Sequence, residues 1–169
     1  MKKLGTTGMR ILKILHLLFA VMWIGGVMAL VTIQFGTTPD TEATMMMTIT
    51  DQYLIDIMFL IPGGIGIVIT AIIYGCFTGF GFFKQKWQIE KWIYTTILIV
   101  IGAGYMGVIL KENYFSILNE STTQFDITMY QDNIRNVAIC GSVQLIMFIV
   151  VLYLSVFKPK SLRMRKLKD

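Results

Sequence analysis

Four stretches of the chain carry almost nothing but apolar residues, and short polar segments separate them. They run over Ile11–Phe35, Leu54–Phe80, Trp92–Leu110 and Val137–Phe157. Each is close to the roughly 20 residues that a helix needs to cross a hydrocarbon core. Open strands of this kind would leave backbone N–H and C=O groups unpaired in lipid, so the pattern predicts membrane-spanning α-helices. The expected fold is all-α: a transmembrane four-helix bundle forming one integral membrane domain over residues 1–169.

Composition agrees and charge adds direction. Hydrophobic residues make up 55% of the chain and charged residues 15%, where a soluble domain would carry about a quarter charged. Of the 15 Lys and Arg residues, 13 fall on the N-terminus, the 81–91 segment and the C-terminus, and only Lys111 and Arg135 flank the loop between spans three and four. Asp40, Glu42, Asp51, Glu112, Glu120, Asp126 and Asp132 fall on the opposite side. The positive-inside rule then places both termini and the 81–91 loop in the cytoplasm. Lys2 and Lys3 before an apolar run resemble a cleavable signal peptide. The run is too long for one and carries Lys13 and His16, so a retained span is expected. The cationic tail after Lys158 is read as attraction to anionic headgroups. No basic patch interleaved with aromatics points to nucleic acid, and Cys76 and Cys140 show neither a disulfide framework nor a metal-ligand spacing.

Between the spans, Gly36–Thr50 reads as a polar outer loop interrupted by Pro39, and Asn113–Asp132 as the longest loop, with a short surface helix expected in it because Phe115, Leu118 and Phe125 offer apolar anchoring. Trp87, Trp92 and Tyr94 mark one water–lipid boundary and Tyr53, Tyr114 and Tyr130 the other. Gly25, Gly26, Gly63, Gly64, Gly66, the Gly75/Gly79 pair, Gly102, Gly104 and Gly107 are expected where helices approach closely. Pro62 should bend span two, because it removes a donor and crowds the preceding turn.

Polar residues inside the spans are the candidates for chemistry. His16 is the only histidine. At about 100° per residue it shares a stripe of span one with Ala20, Trp23, Val27 and Gln34. Asp56, Leu60, Gly63, Ile67, Thr70 and Tyr74 form a stripe of span two, and Asn133, Val137, Cys140, Gln144 and Met147 one of span four. Antiparallel packing brings Thr70 and Tyr74 to the depth of His16, with Thr95 and Thr96 near that level. Asp56 and Arg135 fall at similar depth and are expected to pair. An imidazole on a stripe with an indole suits a planar ligand or haem iron; on spacing alone a neutral histidine hydrogen-bonded to a neighbouring helix is the readier explanation. Met45-Met46-Met47 is a candidate soft contact for Cu(I). Metalloprotease, triad-hydrolase and phosphate-loop motifs are missing.

Leu15-His16-Leu17-Leu18 followed by Trp23-Ile24-Gly25-Gly26 resembles an H-x6-W-x-G-G signature of small bacterial four-helix membrane proteins. These include a predicted integral membrane family of unknown function, CopD-type copper-resistance domains and HemJ-type protoporphyrinogen oxidases. Ile61-Pro62-Gly63 looks most like the family of unknown function, while Trp87 and Lys91 are similar to a Trp-x3-Lys element of the HemJ type. The resemblance implies a bacterial plasma-membrane protein in which His16 is the axial ligand of haem b. Trp23, Thr70, Tyr74 and Lys91 are expected around the cofactor. The second histidine of the HemJ type has no counterpart, since Gly104-Tyr105 stands near its place. A further ligand would come from elsewhere or from a second subunit of a homodimer. The expected function is haem or tetrapyrrole association beside a membrane redox or transport partner. The alternatives are copper handling or small-solute transport, and a non-enzymatic membrane subunit.

Overall fold

The computed structural model describes residues 4–77, 86–119 and 127–157. Among these, the elements are helix α1 (Thr6–Gly36), α2 (Glu42–Ile55), a π turn (Asp56–Leu60), α3 (Ile61–Phe77), α4 (Lys86–Ile99), a π segment (Val100–Met106), α5 (Gly107–Asn119) and α6 (Ile127–Phe157). The π turn joins α2 to α3 and the π segment joins α4 to α5, so the elements make four rods. All four are long and apolar enough to cross a bilayer. Apolar side chains cover both the inside and the outside. Val27, Leu30 and Met106 are fully buried, while Val21, Ile146 and Val156 are each more than 60% exposed. A water-soluble protein rarely exposes so much apolar surface, and these are the marks of a multi-pass membrane protein.

The rods extend past the expected spans. The second covers 36 residues, which at 1.5 Å per residue is roughly 54 Å, against a hydrocarbon core of about 30 Å. Most of the Gly36–Thr50 segment is therefore helix rather than loop, because Thr41 caps α2. Its hydroxyl accepts the Thr44 N–H at 3.3 Å, and the Thr44 hydroxyl accepts the Thr41 N–H at 3.1 Å. The two bonds satisfy donors that a helix start leaves open. Asn113–Asp132 is shortened likewise from both ends, and Asn133 Nδ2 donates to Asn113 Oδ1 at 2.6 Å. Lys2, Lys3, Gly79, Lys84, Phe125 and the tail from Lys158 lie outside the described residues.

Small residues decide which rods touch. A Cβ on Gly63 would stand 2.8 Å from the Trp23 main-chain nitrogen. One on Gly66 would enter the Phe19 ring, and one on Gly26 would enter Leu60. α1 thus lies antiparallel and close along α3, and the Leu4 N–H donates to the Phe77 carbonyl at 3.1 Å where the two ends meet. α1 also packs on α6, where Gly141 receives Val31. α4 rests on α6, and α5 on α2; among the described residues no comparable packing joins α3 to α4. Instead of a simple kink, the chain before Pro62 widens into the π turn, in which the Ile61 N–H donates to the Asp56 carbonyl. Pro62 has no N–H to give, so an α-helical register cannot continue unbroken through it.

Candidate functional site

Phe19 lies one turn beyond His16 on α1, and Gly66 lies one turn before Thr70 on α3. Because Phe19 beds into Gly66, the two helices close and set His16 Nδ1 2.7 Å from Thr70 Oγ1. The Thr70 hydroxyl also reaches back to the carbonyls of Gly66, at 2.6 Å, and Ile67, at 3.0 Å. A hydroxyl owns a single proton. With that proton given to its own helix, Thr70 accepts from His16, so the imidazole carries its hydrogen on Nδ1. Nε2 is then the nitrogen with the lone pair.

The Tyr74 ring stands edge-on to the imidazole, centroids 5.8 Å apart. Lys91 of α4 lies near enough to act electrostatically on His16, and its ammonium sits 5.5 Å from the Trp87 ring centroid. His16, Thr70 and Tyr74 thus stand together at this end of the bundle, with the Lys91 charge acting on the imidazole from α4. Trp23 stands apart from them. It is 3% exposed, edge-on to Phe148 at 5.1 Å, with its main chain against Gly63. Its place is the sealed core of the α1–α3 seam, not the margin of a pocket.

A second group of polar side chains occupies the other half of the bundle. Gln52 Nε2 donates to Gln34 Oε1 at 2.8 Å. Asp56, 6% exposed, meets no hydrogen-bond donor or cation among the described residues. The expected Asp56–Arg135 pair does not form: Arg135 lies on the outside and binds Asp132 at 3.1 Å, one turn away on α6. Gln144 is fully buried, its Nε2 3.5 Å from the Leu98 carbonyl and its Oε1 without a partner. Thr96, exposed on α4, donates its hydroxyl to the Trp92 carbonyl one turn back at 2.9 Å. The approach of Gln144 to Gly102, 2.9 Å from a Cβ built there, was not foreseen. The signals for it were Gly102 and Gly107 in span three, read only as packing glycines.

Met45, Met46 and Met47 occupy consecutive positions of α2, which spreads them over about 200° of the helix surface; they do not converge on one ion. Among the described residues, no group of three or more His, Cys, Asp or Glu side chains is placed to hold a metal. Fold and sites together define a four-span membrane protein with polar side chains enclosed between its helices. No protein-family model, characterised sequence or solved structure matches the chain.

Proposed function

We propose that this is a bacterial plasma-membrane protein, both termini cytoplasmic, that holds haem b at the cytoplasmic end of the bundle with His16 as axial ligand. The observation that carries the reading is the Nδ1 bond to Thr70, which leaves Nε2 as the donor atom. Histidines that bind metals commonly give their other N–H to a neighbouring acceptor in this way, which fixes tautomer and ring orientation. A lone imidazole needs the metal's remaining ligands from another source, and a porphyrin supplies four nitrogens of its own.

Such a group would lie beside His16 on the side toward α4, whose Lys91 charge acts on the imidazole. The residues present do not fit one between α1 and α3, where Phe19 and Trp23 leave no slot. Lys91 is a cation at the level where haem carboxylates would meet water, and Tyr74 and Trp87 offer ring surface beside it. Thr70 holds the imidazole, Lys91 neutralises an anionic edge, and the Trp23 core keeps α1 and α3 in register. The bound group would supply one-electron redox chemistry. Any further ligand to the iron would come from a small molecule, a partner or a second copy of the chain.

The test is haem content after purification in mild detergent from haem-supplied cells. Wild-type protein is expected to show a Soret band near stoichiometric with protein, and His16→Ala to lose it while keeping its helical content. A colourless wild type that stays colourless when haem is added back would overturn the reading.

A further inference from the structure

Asp56 and Gln144 belong to different rods, yet both lean on the π segment of the third. An oxygen of the Asp56 carboxylate lies 3.7 Å from a Cβ built on Gly107, and the Gln144 amide lies against Gly102. That Cβ on Gly107 would in turn stand 3.3 Å from the Gly102 carbonyl oxygen. Neither polar side chain is there by accident of an exposed surface: Asp56 is 6% exposed and Gln144 fully buried. Both lack what their chemistry calls for. The carboxylate has no donor or cation among the described residues, and Gln144 Oε1 has no partner, while its Nε2 is turned to Leu98. A buried, unpaired carboxylate is costly in low dielectric unless something neutralises it.

Beside the Asp56 carboxylate and the Gln144 amide lies the Gly102 carbonyl, which accepts the Gly107 N–H and keeps a second lone pair. The Gln144 amide sets Nε2 nearest Gly102 and Oε1 4.0 Å from a Cβ built there. The charged residues nearby, Asp51, Lys111, Glu112 and Arg135, are all exposed. Oxygen donors select hard cations over soft ones. A single carboxylate leaves the site neutral with a monovalent ion and charged with a divalent one. We propose that Asp56, Gln144 and the Gly102 carbonyl form an intramembrane site for a small monovalent cation, Na+. The site is separate from His16 and stands whether or not haem binds there.

The experiment is thermal unfolding of the purified full chain in mild detergent, at fixed pH and ionic strength, with NaCl replaced stepwise by choline chloride. Na+ is expected to raise the midpoint in a saturable way, as a ligand of the folded state does, with KCl giving a smaller rise. Asp56→Asn should abolish the rise and Gln144→Leu should weaken it. Equilibrium binding of radioactive Na+ to the wild type should reach one ion per chain, a readout that holds even where a variant fails to fold. No Na+ binding by the wild type, an equal rise in Asp56→Asn, or a midpoint that follows pH but not Na+ would each overturn the site.

Discussion

The hydroxyl of Thr70 spends its proton on the Gly66 carbonyl and its lone pair on His16, so one atom sets both the helix turn and the imidazole tautomer. Thr70→Val keeps the shape and removes that acceptor. It is expected to lower stability by about 0.5–1.5 kcal/mol, the net worth of a hydrogen bond to a half-buried donor, and to reduce haem occupancy in the same preparation. Thr70→Ser should retain both, and thermal midpoint and Soret absorbance read the two effects separately. The stripes through His16, Asp56 and Asn133 made this residue-level arrangement largely legible, because helical spacing decides which side chains share a face. It does not decide what lies opposite. Trp23 shares the stripe of His16 but meets Gly63 two turns away, and Asp56 meets Gly107 rather than Arg135, for which a closer carboxylate was available on the same helix.

At the scale of the element, close approach and helix register do the work. Gly63 touches the main chain of Trp23, which has no rotamer with which to retreat. Gly63→Ala is therefore expected to destabilise the bundle by about 1–3 kcal/mol. At Gly104, where nothing stands within 4 Å of a Cβ, alanine should be neutral or stabilising by roughly 0.5–1 kcal/mol. Denaturation in detergent by circular dichroism distinguishes them. The Gln34–Gln52 bond makes a second test: Gln52→Leu alone should cost about 1 kcal/mol, since it strands the Gln34 amide. Gln34→Leu together with Gln52→Leu should recover most of it. Hydropathy showed where apolar runs begin and stop, and so it missed α2 and the ends of α5 and α6. These continue as helices through polar sequence, capped by Thr41 and tied by Asn113 and Asn133. The π segments were also hidden, since a change of register follows from what packs against a turn rather than from its composition.

For the whole molecule, the number of spans and their order were plain from the sequence, because lipid imposes length and apolarity on each crossing. The bias of Lys and Arg should fix orientation as well. In a background with Cys76 and Cys140 replaced by serine, Thr38→Cys is expected to react with an impermeant maleimide in intact cells. Lys86→Cys should react only after permeabilisation; the reverse pattern would invert the protein. The helices and glycine contacts serve, in this account, to present one nitrogen of one histidine to a haem iron. The most direct measurement is the absorbance spectrum of His16→Gly purified with haem present, before and after free imidazole is added. If haem is held through His16, the variant lacks the Soret band, and imidazole that fills the vacated ligand position restores it. A wild-type spectrum in His16→Gly without imidazole would contradict it, because the iron would then be held by something other than His16.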